Sequence, residues 1–235
     1  MRAFLFDLDD TLFDHRHSTR MALAVLRESL VPLASLTVDA LEAQHAIVLE
    51  ELHRRVLAGE MGVDDARQER FRRLVEARGG SASEREIEAA SRAYREAYLD
   101  ARRAVAGAVE LLEALRAHGR IAVVSNNVTV EQMQKLAACG LDRLIDAAVI
   151  SEEAGVAKPE PEIFQIALRR LDAAAADTVM IGDSWVADIE GARAAGIRAI
   201  WYNPLRLPCP DPLLICSEVH AWQPVAQVVE TILAC

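Results

Sequence analysis

The chain has 235 residues, of which 52% are hydrophobic and 26% charged, so it is long enough for a core domain with a smaller inserted one. A formal charge of -10 and a sequence pI of about 5.1 exclude an overall basic surface of the kind that attracts nucleic acid or an anionic membrane. No secretory signal follows Met1, and no segment approaches the roughly 18 apolar residues of a membrane span. We expect a cytoplasmic protein that binds neither nucleic acid nor membrane.

Five short apolar segments predict the strands of a sheet. Continuous apolar runs suit strands that are buried on both faces, as in parallel sheets. The last four alternate with helical patterns, two of which end at glycines suited to a helix C-cap, Gly140 and Gly196. A further apolar run, 213–216, is a candidate last strand before a final helix. The five segments are 3–6, 121–125, 147–151, 178–182 and 199–202. Their order predicts an α/β fold, a Rossmann-like doubly wound parallel sheet.

More than a hundred residues, most of them with a helical pattern, separate the first two predicted strands. A crossover between parallel strands needs only ~12 residues. We therefore predict an inserted all-helical cap domain over residues 15–103. The core domain would then consist of residues 1–14 and 104–235.

The four cysteines show no spacing that indicates chemistry. They form no CxxC pair and no Cys/His pattern suited to zinc. We expect reduced thiols without a disulfide or metal. The cysteines are Cys139, Cys209, Cys216 and Cys235.

Polar residues follow three of the predicted strands, at the point where each strand ends. Asp7 and Asp9 follow the first, Ser125 and Asn126 the second, and Asp183 the fourth. In open parallel sheets ligands bind at the carboxyl ends of the strands. Signals from separate parts of the chain therefore predict one site.

The carboxylates of this site predict a metal ion. Asp7, Asp9, Asp183 and Asp188 would repel one another at short range unless a cation lay between them. Carboxylate oxygens without histidine or thiolate favour a hard cation, and Mg²⁺ is the usual one beside a phosphate. We expect Mg²⁺ as the cofactor. A DxD pair by itself is also compatible with a solvated turn.

Lysine is rare in this chain, which has 24 arginines and two lysines. A lysine kept among so many arginines suggests use of its compact point charge. Lys158, held by prolines that fix the following turn, could offset the charge of a phosphate near the carboxylates. Lys135, by contrast, fits an ordinary exposed helix face.

Neutral donors near the predicted carboxylates could bind phosphate oxygens. The candidates are Thr11, Ser125 and the backbone N-H groups around Asn126 and Asn127. Each is also compatible with a role in a turn or helix cap.

Four segments together resemble the motifs of the haloacid dehalogenase-like (HAD) hydrolase superfamily. They are FDLDDT at 6–11, VVSNN at 123–127, the lysine of AKPEPEIF at 157–164, and IGDSWVADIEGA at 181–192. The helical insert resembles the C1 cap of that superfamily. The later segments are most similar to the group of pyrimidine 5'-nucleotidases and N-acylneuraminate-9-phosphate phosphatases.

The resemblance implies a mechanism for these residues. Asp7 would attack phosphorus and form an aspartyl-phosphate, and Asp9 would transfer protons to the leaving oxygen and from water. Mg²⁺ would be held by Asp7, the backbone carbonyl of Asp9 and Asp183, with Asp188 nearby. Ser125 and Lys158 would bind the transferring phosphoryl group, and Thr11 and Asn126 are the other phosphate-binding residues that we predict from the neutral donors above. Catalysis would depend on Asp7, Asp9 and Lys158.

A carboxylate at position 9 favours phosphoryl chemistry, because the dehalogenases of the superfamily lack one there. We predict a phosphatase for a small phosphorylated metabolite, such as a nucleotide or sugar phosphate. A phosphosugar mutase of the same fold and a non-catalytic module that binds a phosphorylated ligand are the alternatives.

Several cap arginines fall on one predicted helix. Arg67, Arg70, Arg72 and Arg73 fit a solvated helix face. One of them could instead read a carboxylate or phosphate of the substrate, since the resemblance implies that the cap governs substrate choice.

Overall fold

The computed structural model describes residues 2–235, and the chain divides into two compact units. One, the core unit, contains Arg103–Cys235 together with the chain up to Asp14. The other, the helical unit, is His15–Arg102.

A six-stranded sheet forms the centre of the core unit. The strands are β1 (Ala3–Phe6), β2 (Arg120–Ser125), β3 (Ala147–Ile150), β4 (Thr178–Gly182), β5 (Arg198–Tyr202) and β6 (Ser217–Val219). Their order is β3-β2-β1-β4-β5-β6, and every neighbouring pair is parallel. The prediction of an α/β, Rossmann-like parallel sheet is confirmed.

The position of β1 brings the functional residues together. Phe6, its last residue, pairs in register with Val123 of β2 on one side and Ile181 of β4 on the other. In chain order, β2 and β3 are added on one side of β1, and β4, β5 and β6 are then added on its other side. The residues that follow β1, β2 and β4 therefore share the edge at which such sheets bind ligands.

Helices connect the strands of the core unit. They are α5 (Ala108–Leu115), α6 (Thr129–Ala138), α7 (Ser151–Ala154), α8 (Pro161–Leu171), α9 (Gly191–Ala194) and α10 (Val225–Ala234). A π-helical turn, Trp185–Glu190, precedes α9. Gly140 and Gly196 have φ angles of 66° and 76°, as expected of glycines that end helices.

Four helices make up most of the helical unit. They are α1 (His15–Ser29), α2 (Val38–Leu57), α3 (Val63–Glu76) and α4 (Glu84–Asp100). Two of these helices have a side-chain hydrogen bond that caps the N-terminus. Thr37 accepts a hydrogen bond from the Ala40 N-H at the start of α2, and Ser83 forms a reciprocal capping box with Glu86 at α4.

One face of the sheet packs on α8 and α9 in a continuous hydrophobic core. Leu5, Val124 and Met180 from adjacent strands lie in it with Ile163 and Phe164 of α8. All five are fully buried. Burial on both faces explains why the strands are continuous apolar runs.

The C-terminal region differs from the sequence prediction in two ways. The sixth strand is Ser217–Val219, whereas half of the predicted segment 213–216 belongs to a short 3₁₀ helix, Pro212–Leu214, whose proline cannot donate to a sheet. The expectation of four reduced thiols is also wrong, because Cys216 and Cys235 form a disulfide with their Cα atoms 5.6 Å apart. Tertiary packing brings the end of α10 to the start of β6, which spacing in sequence does not reveal.

Within residues 2–235, no helix is both long enough and apolar enough to cross a membrane.

Candidate active site

Three buried or half-buried carboxylates meet at the carboxyl end of the sheet. Asp7 directly follows β1, Asp183 directly follows β4, and Asp188 lies on the π-helical turn. One carboxylate oxygen from each lies within 4.8 Å of the others. The backbone N-H of Asp7 still donates to the Ile181 carbonyl at 2.9 Å, so the sheet itself fixes the start of the site.

Lys158 lies between two of these carboxylates. Its Nζ is 2.6 Å from Oδ1 of Asp7 and 2.6 Å from Oδ1 of Asp188. The lysine is buried, and the side chain of Asp188 is completely inaccessible to solvent. The second oxygen of Asp188 accepts a hydrogen bond from the Ser184 N-H at 3.0 Å. Asp188 is thereby held on both sides and acts as a support for Lys158.

Asn126 holds the backbone at Lys158. Its Nδ2 donates to the Lys158 carbonyl at 2.8 Å, and its Oδ1 accepts from the Lys158 N-H at 2.7 Å. The end of β2 thus positions the lysine that contacts Asp7. The side-chain amide is occupied by these two hydrogen bonds, and a phosphate contact from the backbone N-H groups around Asn126 stays a prediction.

Thr11 performs a similar function for Asp183. Its Oγ1 accepts from the Asp183 N-H at 3.1 Å and donates to Oδ1 of the same residue at 3.4 Å. The threonine is fully buried, and its backbone carbonyl accepts from Trp222 Nε1 at 2.8 Å. The turn after β1 and the end of β4 are therefore joined through this side chain.

The carboxylates are too crowded for all of them to be charged without a cation. Burial, with Asp188 and Asp9 nearby, raises the pKa of Asp7 to about 7 although Lys158 opposes the shift. Burial and the neighbouring Asp7, Asp188 and Asp10 raise the pKa of Asp183 to about 9. Burial acts to lower the pKa of Lys158, but Asp188 and Asp7 outweigh it and raise that pKa. One lysine does not neutralise three carboxylates.

This donor set fits Mg²⁺. The oxygens come from carboxylates, and one lysine beside three of them leaves the site short of positive charge. A hard divalent cation would supply that charge and keep Asp7 and Asp183 ionised.

Asp9 faces helix α6 and contacts a second lysine. Lys135 Nζ lies 2.6 and 2.8 Å from its two carboxylate oxygens. Gln132 Nε2 donates to Asp9 Oδ2 at 2.9 Å and to Ser125 Oγ at 2.6 Å. The hydroxyl predicted to bind phosphate and the carboxylate predicted to transfer protons are therefore joined by one amide.

The expectation that Lys135 lies on an exposed helix face is wrong. Its side chain is only 4% exposed, and its ammonium lies 5.3 Å from the centre of the Phe13 ring. Sequence reasoning missed both Lys135 and Gln132. The rarity of lysine was a usable signal, since the two lysines contact two of the three aspartates of the first motif, Lys158 contacting Asp7 and Lys135 contacting Asp9.

In the helical unit, the four arginines named from the sequence differ in whether a carboxylate pairs with them. Arg67 pairs with Asp64, Arg72 with Glu69, and Arg73 with both Glu51 and Glu69. These four ion pairs agree with a solvated, ion-paired helix face.

Arg70 has no carboxylate partner among residues 2–235. It is 8% exposed, and its Nε is buried without a hydrogen-bond partner. The guanidinium lies 4.8 Å from the ring centre of Phe71 and 5.1 Å from that of Tyr94. Burial lowers the pKa of Arg70, and burial together with the charge of Arg70 lowers that of His45. The unit thus contains a buried cation without a compensating charge.

Comparison with known proteins establishes the class of this one. The profile of the haloacid dehalogenase-like hydrolases matches residues 1–196, so the chain belongs to that family. The resemblance inferred from the four motifs is confirmed.

Individual relatives are named phosphatases. The chain is 34% identical to ribulose-1,5-bisphosphate 5-phosphatase of Halopiger xanaduensis over 86% of its own length and 84% of the relative's. It is 36% identical to the pyrimidine 5'-nucleotidase YjjG of Escherichia coli over 48% of this chain and 52% of that one. These similarities identify an enzyme of the phosphatase type.

A solved structure shows the same fold. The HAD-hydrolase YfnB of Bacillus subtilis, bound to magnesium, matches with a TM-score of 0.76 and 27% identity. The match covers 97% of this chain and 98% of that one.

Proposed function

We propose that the protein is a Mg²⁺-dependent phosphomonoester hydrolase that forms an aspartyl-phosphate on Asp7. The observation that carries the proposal is the contact between Asp7 and Lys158 beside two further carboxylates, with Asp9 two residues away. This arrangement supports the proposal, because it would supply a nucleophile, a fixed cation for the phosphoryl group and a second carboxylate for proton transfer at one edge of the sheet.

The first step forms one bond and breaks another. A carboxylate oxygen of Asp7 attacks phosphorus, and the bond between phosphorus and the leaving oxygen breaks while Asp9 supplies a proton to that oxygen. Lys158 and Ser125 bind the transferring oxygens, where the stabilisation of dispersed negative charge contributes most. The alcohol then leaves.

The second step restores the enzyme. Asp9 accepts a proton from water, which attacks the phosphorus of the aspartyl-phosphate and releases inorganic phosphate and the carboxylate of Asp7. Mg²⁺, held by Asp7, the Asp9 carbonyl and Asp183 with Asp188 nearby, would neutralise charge on the phosphoryl oxygens.

The substrate we infer is a small phosphorylated metabolite. The names of the relatives include a sugar bisphosphate phosphatase, glyceraldehyde 3-phosphate phosphatases and a pyrimidine nucleotidase, which supports this class. Arg70 is our candidate for reading a carboxylate or second phosphate of the substrate, because its buried guanidinium lies beside two aromatic rings but no described carboxylate, and a buried charge without a countercharge is costly.

The experiment is phosphate release from a panel of nucleotides, sugar phosphates and phosphoglycolate, with Mg²⁺ and with EDTA. We expect metal-dependent release concentrated on one chemical class, and loss of release in Asp7→Asn. Isomerisation of a hexose 1-phosphate without phosphate release would instead indicate a mutase. Binding of phosphate esters without turnover would indicate a non-catalytic module.

A further inference from the structure

Helix α6 contacts two predicted active-site side chains of the core unit. They are Asp9, which we predict to transfer protons, and Ser125, which we predict to bind phosphate. Lys135 reaches both oxygens of Asp9 at 2.6 and 2.8 Å. Gln132, one turn earlier, reaches Asp9 Oδ2 at 2.9 Å and Ser125 Oγ at 2.6 Å. Residues three apart project from the same face of a helix, so one rigid element determines the position of both contacts.

The hydrogen bond from Gln132 also sets the direction of the serine hydroxyl. Since Ser125 Oγ accepts from the amide, its own hydrogen must point elsewhere and remains able to donate. A hydroxyl with that orientation suits an anionic phosphoryl oxygen. Gln132 is completely buried, so water does not compete for its amide.

Lys135 restricts the rotation of the Asp9 carboxylate as well as balancing its charge. The ammonium is enclosed by the Phe13 ring and the carboxylate, with its own side chain 4% exposed while that of Asp9 is 25% exposed. Two hydrogen bonds from one buried nitrogen and a third from Gln132 leave the carboxylate little rotational freedom.

We propose that Lys135 and Gln132 are positioning residues that hold the carboxylate of Asp9 and the hydroxyl of Ser125 in the arrangement used for phosphoryl transfer. The inference rests on the proposed function. A purely structural ion pair would fasten α6 to the core unit but would have no selective effect on proton transfer.

The test compares Lys135→Met and Gln132→Leu with Gln134→Leu, a matched control on the exposed face of the same helix. Two substrates are used with Mg²⁺ in rapid-quench kinetics. p-Nitrophenyl phosphate has a leaving group that departs without protonation, whereas glycerol 2-phosphate releases an alkoxide that needs a proton.

For Lys135→Met we expect phosphoenzyme formation from the aryl ester to stay within about threefold of wild type. Its breakdown should slow by about 10²-fold, because a misplaced base no longer activates water. A burst of nitrophenol approaching one per active site should therefore appear. On glycerol 2-phosphate, kcat should fall by about 10²-fold with no burst and little change in KM.

For Gln132→Leu we expect the same pattern together with a rise in KM of about tenfold, since Ser125 loses its orientation. Gln134→Leu should match wild type throughout. The inference would be overturned if kcat fell equally on both esters without a burst, or if both variants had wild-type kinetics. The proposed function would stand in either case. A wild-type enzyme that cleaves neither ester with Mg²⁺ would instead contradict the proposed function.

Discussion

Lys158 Nζ lies 2.6 Å from Oδ1 of Asp7, and both side chains are buried. The nucleophile we propose is thus paired with the one cation that reaches it in the described chain, and the same lysine is fixed from behind by Asp188 at 2.6 Å. The contact explains why a compact ammonium was kept at this position in a chain that otherwise uses arginine.

Replacing Lys158 by Met should abolish turnover and destabilise the protein. Removing one partner of a buried charge pair leaves uncompensated charge, at a cost of about 3–5 kcal/mol. We expect kcat/KM to fall by about 10³-fold or more on any phosphate ester that the enzyme cleaves. Steady-state kinetics and urea unfolding measure the two effects. Lys158→Arg should not restore activity, because the larger planar guanidinium does not fit between Asp7 and Asp188; full activity in that variant would contradict this account.

The metal-free protein should lose stability as the pH rises. The pKa values of Asp7 and Asp183 are raised from 3.8 to about 7 and about 9, so the folded protein binds more protons than the unfolded chain between those limits. The contribution of these groups to stability is therefore greatest below pH ~4 and falls as the pH increases through about 7 and then 9.

Mg²⁺ should reverse this loss. The ion replaces the missing protons, so it should raise Tm by more at about pH 8.5 than at about pH 6, where it must displace protons to bind. Thermal unfolding with Mg²⁺ or EDTA at both pH values measures this. In Asp183→Asn the metal-free Tm at about pH 8.5 should rise by a few degrees and the gain from Mg²⁺ should disappear. A gain from Mg²⁺ that is larger at the lower pH would contradict the assignment.

Arg70→Gln should change substrate preference. A charge-assisted hydrogen bond contributes about 1.5–3 kcal/mol, so kcat/KM should fall about 10- to 100-fold for substrates with a second anionic group. Comparing kcat/KM for phosphoglycolate and 2-hydroxyethyl phosphate tests whether Arg70 recognises a carboxylate. Comparing kcat/KM for fructose 1,6-bisphosphate and fructose 6-phosphate tests whether it recognises a second phosphate.

The control for this prediction is Arg73→Gln, on the same helix but paired with Glu51 and Glu69. It should leave the preference unchanged. If Arg70→Gln lowers kcat/KM equally for both members of each pair and lowers Tm, Arg70 stabilises the helical unit and does not read the substrate.

Gly182→Ala should lower activity although residue 182 itself makes no proposed contact with the substrate. A β-carbon at this position would overlap the carboxyl group of Asp188, which is itself fully buried and has no room to withdraw. The displaced Asp188 would release Lys158, and we expect kcat to fall by about 10²-fold. Gly62→Ala is the control, because a β-carbon there meets only the exposed side chain of Asp65. Wild-type kcat in Gly182→Ala would show that Asp188 does not need its observed position.

The strands and their carboxyl-end residues could be predicted because their causes are local. A strand buried on both faces must be a continuous apolar run, and Asp7 and Asp183 follow such runs directly. The five predicted strands agree with β1–β5 to within one residue at either end. The sixth could not be placed, because a short edge strand of three residues has no comparable apolar pattern.

The contacts that arise from tertiary packing could not be predicted. Lys135 has the sequence context of an exposed helical lysine, and its burial follows only from the docking of α6 beside the turn after β1. Arg70 is flanked by arginines that pair with carboxylates, and the sequence alone does not distinguish it from them. The disulfide between Cys216 and Cys235 likewise depends on the packing of α10.

The measurement that tests the central claim most directly is identification of the phosphorylated residue. The enzyme is mixed with p-nitrophenyl phosphate and Mg²⁺, quenched in acid within milliseconds and digested for mass spectrometry. We predict a phosphoryl adduct on Asp7 that is absent in Asp7→Asn and persists in Asp10→Asn. Turnover of the ester with no adduct on Asp7, or an adduct that survives in Asp7→Asn, would contradict it.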